Sequence, residues 1–123
     1  MNESTELAVV TAYLADHDSR YLAEDVVLDL AWESGVRRGR AAVAAWLYDV
    51  HHRFFRDVEE RVTAVAVSPG QVCLEVDVSG LQAQVGRRTT MRVAVVLAVA
   101  GGEIHSARVY GGAAIPASLA PAG

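Results

Sequence analysis

The stretch Gln71-Val72-Cys73-Leu74-Glu75-Val76-Asp77-Val78-Ser79 alternates strictly, with Val72, Leu74, Val76 and Val78 on one face and Cys73, Glu75, Asp77 and Ser79 on the other. Successive side chains of a strand point to opposite sides, so this pattern reads as a half-buried antiparallel strand. Pro69-Gly70 just before it is a turn signal, and Arg61 to Ser68 is β-branched and alternating, which places a second strand beside the first. Downstream, Gly86-Arg87-Arg88 is a connection and Thr89 to Ala100 is a long apolar strand. Gly101-Gly102 then makes a tight hairpin turn into a last strand, Glu103 to Tyr110.

Working towards the N-terminus, Val43, Trp46, Leu47 and Val50 fall at i, i+3, i+4 and i+7, the spacing of a packing helix that ends near His51 to Phe55. Gly35 to Gly39 reads as a loop, and Asp25 to Trp32 as the first strand. Leu7, Val10 and Leu14 recur at helical spacing, with Val9 and Tyr13 on an adjoining stripe, so helix one runs from Leu7 to Asp16. Asp16-His17-Asp18-Ser19 breaks that pattern, and Tyr21 and Leu22 have room for one further turn at most. Helices first and then a run of antiparallel strands imply an α+β fold with helices on one face of a curved sheet. The outer face, with Cys73, Ser79, Ala94, Val96 and Ala98 among charges, meets solvent or a partner; a homodimer is expected. Residues 1–123 read as a single domain, with an Ala- and Pro-rich tail over 113–123 expected to be flexible.

Composition narrows the function. A net charge of −4 and a pI near 5.5 argue against nucleic acid, whose binders carry a basic stripe. No apolar run approaches the roughly 20 residues of a membrane span, and the acidic, polar start Met1 to Glu6 is unlike a signal peptide. Cys73 is the only cysteine, which excludes an intrachain disulfide and fits a reducing cytoplasm. The spacing of His17, His51 and His52 along the chain matches no metal motif, so neither a metal nor a cofactor is expected.

Ala23-Glu24-Asp25-Val26-Val27-Leu28-Asp29 followed by Gly39-Arg40-Ala41-Ala42-Val43 resembles the strand-loop-helix signature of SnoaL-like polyketide cyclases and ketosteroid isomerases. Gly86-Arg87-Arg88-Thr89 and Gly102-Glu103-Ile104 to Tyr110 resemble the same proteins' later strands, in the same order. The resemblance implies a cone-shaped, strongly curved, mostly antiparallel sheet with N-terminal helices on its concave face, here with the second helix much shortened. It also implies that Tyr13 occupies the helix-one position of a family tyrosine, while the usual acidic positions fall on Leu30, Val95 and Val109.

The candidate catalytic residues are therefore Tyr13, as a donor to a developing oxyanion, and His105, which shares the strand parity of Ala107 and Val109 and titrates near neutrality. Asp29 points outward by alternation, yet a one-residue slip would bring it into the pocket. Leu30, Trp32, Trp46, Gln82, Met91, Val93, Val95, Ala107 and Val109 are the expected substrate-binding wall; a plain core role competes for each. Two functions remain open. One is a cofactor-independent cyclase, isomerase or dehydratase acting on a small hydrophobic, polyketide-type metabolite. The other is a non-catalytic ligand-binding or dimeric accessory protein.

Overall fold

A computed structural model describes residues 5–32 and 36–111. Helix α1 spans Thr5–Asp16 and a single 3-10 turn, Ser19–Tyr21, is all that stands for a second helix before strand β1, Leu22–Leu30. A short strand β2, Val36–Arg38, leads into helix α2, Arg40–Asp49, which widens into a π-helical turn over Val50–Phe54. Four long strands complete the chain: β3 Phe55–Ser68, β4 Gln71–Gln82, β5 Arg87–Ala100 and β6 Glu103–Tyr110. All six strands form one open, curved sheet in the order β2-β1-β6-β5-β4-β3, antiparallel throughout except where β1 runs parallel to β6.

The main expectations hold, with shifted ends. β1 starts at Leu22 and not Asp25, because Leu22 already pairs with Ile104 and is buried along with Ala23. The expected loop before α2 contains β2, whose Val36 to Arg38 pair along Asp29 to Val27. β3 begins at Phe55, six residues before the alternation becomes visible. The tail at 113–123 lies outside the described residues.

Both helices cover the concave face. Val10 and Tyr13 of α1, together with Val43 and Trp46 of α2 and Val50 just beyond it, are buried against Val26, Leu28 and Leu30 of β1, Val72 to Val78 of β4, and Val93, Leu97 and Val99 of β5. Alternation on β4 is kept from Val72 to Gly80. Glycine at 80 lets Phe55 come close, since a Cβ there would lie 3.0 Å from Phe55 Cβ. Burial of these apolar side chains supplies most of the driving force for this packing.

Register shifts interrupt the ladder at several places, and two of them bear on which titratable side chains face the helices. Between the pairs Arg56↔Leu81 and Glu59↔Ser79, β3 advances one residue more than β4, with Asp57 at a φ of 52°. Between Ala98↔Ser106 and Val99↔Ile104, β6 carries one extra residue, His105. Each is a β-bulge, and an extra residue reverses which side chains face inward beyond it.

Candidate functional site

The helices leave a mainly apolar cavity of about 140 Å³ against the concave face. Of the residues expected at the site, Tyr13, Trp46, Met91, Val93, Val95, Ala107 and Val109 line it. Leu30 is fully buried and faces inward but packs in the core beside the cavity, and Trp32 packs partly buried against that core. Gln82 pairs with Phe55 at the end of the β3–β4 ladder and does not line the cavity.

The two titratable strand candidates stand outside it. His105 is the extra residue of the β6 bulge, so Ile104 takes the inward place and the imidazole turns out, its side chain 43% exposed. There it meets the Ala100 carbonyl at 3.2 Å and Asp25 at 3.9 Å. Asp29 keeps the outward parity of its strand and pairs with Arg108 at 3.5 Å, so no slip of register brings a carboxylate inward.

A different set of titratable groups stands at the cavity mouth. The β3 bulge turns Glu60 onto the concave face opposite Val78, where it lines the cavity. Its Oε1 accepts a hydrogen bond from His17 Nε2 at 3.0 Å and its Oε2 one from His51 Nε2 at 3.2 Å. The two imidazoles stack with centroids 4.5 Å apart, and Tyr13 meets His17 edge-on at 5.4 Å. Tyr13, His17 and His51 border both the cavity and an outer depression beside α1 and α2, so the cluster stands between interior and solvent.

Local backbone geometry delivers these side chains. His17 follows α1 with its N–H bonded to the Tyr13 carbonyl and a φ of 54°, a left-handed conformation usually left to glycine or asparagine. A histidine held there at some cost in strain points to a role for its ring. His51 sits in the π-helical turn, a distortion that recurs at functional sites. Its Nδ1 lies 2.7 Å from the Leu47 carbonyl.

Both His51 partners, the Leu47 carbonyl and the Glu60 carboxylate, are acceptors, and both ring nitrogens can donate only in the imidazolium form. Burial favours the neutral ring, but the hydrogen bond and charge of Glu60 outweigh it and raise the His51 pKa above 6.5. For Glu60, burial pushes the pKa up, and the hydrogen bonds from His17 and His51 override it, holding the carboxyl at about 2. Burial and the nearby Glu60 charge raise the Tyr13 pKa, so its hydroxyl stays protonated and can act as a donor. Two imidazoles and a carboxylate within 4.8 Å of one another are also a donor set of the kind that binds zinc-like ions. The separations of 3.0 and 3.2 Å are ordinary hydrogen-bond distances.

Sequence reasoning missed Glu60 and His51 because a bulge does not appear in an alternation pattern and histidine spacing along the chain ignored β3. Asp57 was the available signal, being a residue type that tolerates a positive φ.

The family model for the SnoaL-like domain matches residues 7–107. No curated protein matches the chain. Among solved structures, a ketosteroid isomerase-like protein from Catenulispora acidiphila DSM 44928 in complex with trimethylamine is similar with a TM-score of 0.70 at 20% identity, over 83% of each chain. A putative SnoaL-like polyketide cyclase from Jannaschia Sp. CCS1 gives 0.74 at 13% identity, over 89% of this chain and 90% of that one. RV0760c from Mycobacterium tuberculosis, in complex with estradiol-17beta-hemisuccinate, gives 0.71 at 20% identity over 88% and 94%. The structural likenesses carry the fold alone, and with the family match over most of the chain, this protein belongs to the SnoaL-like domain family.

Proposed function

We propose that this chain is a cofactor-independent enzyme that isomerises, cyclises or dehydrates a small hydrophobic metabolite of polyketide type by acid–base chemistry at the cavity mouth. The observation that carries this reading is the placement of His51 between two acceptors at the edge of an apolar chamber. A charged imidazole that faces a low-polarity site is a proton donor in waiting. As the His51 Nε2 proton passes from its hydrogen bond with Glu60 to a substrate oxygen, His17, still held to Glu60 through Nε2, takes a proton from a neighbouring carbon at its other ring nitrogen, and exchange with solvent at the mouth restores both rings. Glu60 stays ionised through the cycle and holds both rings in place, while the Tyr13 hydroxyl donates a hydrogen bond to the oxygen on which charge builds. The apolar wall orients the substrate and excludes water. In a panel of hydroxy and keto aromatic compounds followed by mass spectrometry, His51→Ala and Tyr13→Phe are each expected to lower turnover at least ~100-fold. Full activity in both variants would overturn the assignment.

A second reading, a non-catalytic ligand-binding or accessory protein, is favoured by the apolar Leu30, Val95 and Val109 at positions where relatives carry acids. It predicts that a co-purified small molecule is returned unchanged. For either reading we propose a homodimer through the outer face that carries Cys73, Ala94, Val96 and Ala98, located in the cytoplasm where the free Cys73 thiol stays reduced. Native mass spectrometry reads the dimer mass and the bound ligand together.

A further inference from the structure

His17, His51 and Glu60 come from three separate places in the chain, the end of α1, the π-helical turn after α2 and strand β3, yet one donor atom from each lies within 4.8 Å of the others. Both Nε2 atoms are aimed at the same carboxylate, at 3.0 and 3.2 Å. Those spacings are close to the ~3.3 Å edge of a tetrahedron drawn with the ~2.0–2.1 Å bonds of a zinc ion. The His51 ring is also set as a metal ligand is. Its Nδ1 lies 2.7 Å from the Leu47 carbonyl, and a ligating imidazole nearly always gives its other N–H to such an acceptor, which fixes the tautomer with Nε2 free to bind. A divalent ion can therefore stand between His51 Nε2 and Glu60 with the Leu47 hydrogen bond kept.

Donor type, access and backbone agree. Two histidines and a glutamate are one of the three-ligand sets that zinc uses when a fourth position stays open. The outer depression bordered by His17 and His51 gives an ion a route from solvent. His17 holds its ring in place against a φ of 54°, a strain that a ligand for that ring would account for. We propose that His17 Nε2, His51 Nε2 and one Glu60 oxygen bind a zinc-like divalent ion, with its fourth position left to water. Imidazole donors select zinc, cobalt or nickel over magnesium and calcium, which take oxygen-rich sets. The site goes beyond the acid–base reading and competes with it, because an ion on both Nε2 atoms occupies the groups that move protons there. In that reading zinc is an inhibitor and not a cofactor.

The test titrates cobalt(II), a coloured stand-in for zinc, into the untagged, chelator-treated full chain. A single equivalent should bind with the intense visible absorption of four-coordinate cobalt and without the near-ultraviolet band of a thiolate ligand. Zinc should displace it, and magnesium should not. Glu60→Gln and His51→Ala should each weaken binding at least ~100-fold, beyond the usual cost of losing an outer partner of a ligand. His52→Ala, His105→Ala and Cys73→Ser should bind as the wild type does. Nitrogen NMR of the wild type gives an answer that no folding defect can blur: zinc should move the Nε2 signals of His17 and His51 together and leave that of His105 in place. No binding by the wild type, binding untouched by Glu60→Gln, unmoved His17 and His51 signals, or binding lost in His105→Ala, the mark of an adventitious surface ion, would overturn the proposal. Turnover is a separate readout. Zinc should suppress it where His51 and His17 move the protons, whereas a rise in turnover with zinc would keep the site and sink the acid–base reading.

Discussion

The bulge in β3 and the bulge in β6 are the same device with opposite results. On β3 the extra residue beside Asp57 rotates Glu60 into the cavity and gives two histidines a shared hydrogen-bond acceptor. On β6 the extra residue is His105 itself, and its ring is turned out towards Asp25 while Ile104 fills the space it would have taken. One strand gains a charge in the cavity and the other loses one. Positions 30, 95 and 109 on β1, β5 and β6 are apolar, and a single-residue insertion on the edge strand places a carboxylate at the cavity mouth.

Glu60 is where the two bulges should differ most in their effect on turnover. Glu60→Gln keeps the shape of the carboxylate but removes its charge, and turnover should fall at least ~100-fold, whereas His105→Ala should leave turnover within about twofold. Steady-state kinetics on both variants decides this, and the reverse ranking would return the base to β6.

Next in size is the dependence of stability on pH. The Glu60 carboxyl is depressed from its ordinary 4.5 to about 2, so its stabilisation is present above 4.5 and is lost as pH falls through about 2. The His51 pKa is raised above its ordinary 6.5, so its contribution is full below 6.5 and is lost as pH climbs through the folded value. Together they set a stability maximum between about 4.5 and 6.5. At about 1.4 kcal/mol per unit, the Glu60 shift contributes at most about 3.5 kcal/mol, shared with its histidine partners and reduced by its 24% exposure to solvent. Urea unfolding across pH should show that maximum in the wild type and a flattened profile in Glu60→Gln, while His105→Ala keeps the wild-type shape.

The smallest effect concerns strain. His17 holds a positive φ that glycine adopts freely, so His17→Gly should relieve backbone strain worth up to about 1 kcal/mol, partly offset by the lost Glu60 hydrogen bond, while turnover drops. A thermal melt beside a kinetic assay would show activity lost with stability nearly unchanged. A large loss of both would make His17 a structural cap only.

Why the fold was readable and the centre was not follows from the same residues. Strict alternation over Val72 to Val78, the helical spacing of Val43, Trp46 and Val50, and the Gly101-Gly102 turn are local patterns, and each survives in the structure. Trp46 and the Met91 to Val95 face followed from element periodicity because burial repeats with it, while Tyr13 came from the family resemblance. Glu60, His51 and His17 come from three elements joined only in space, and the parity of Glu60 depends on a register shift that alternation cannot show. His105 stands outside the cavity for that reason in reverse, and Gln82 lies at the end of the ladder, paired with Phe55, beyond the cavity lining.

Whether His51 is the proton donor held by Glu60 is decided by nitrogen NMR of its ring across a pH titration. With Glu60 and the Leu47 carbonyl as its two acceptors, the ring should be protonated on both nitrogens at pH 6.5 and should lose a proton only above it, and Glu60→Gln should bring that transition down. A ring that titrates below 6.5 in the wild type, or a transition untouched by Glu60→Gln, would refute the His51–Glu60 pairing as the source of the proton.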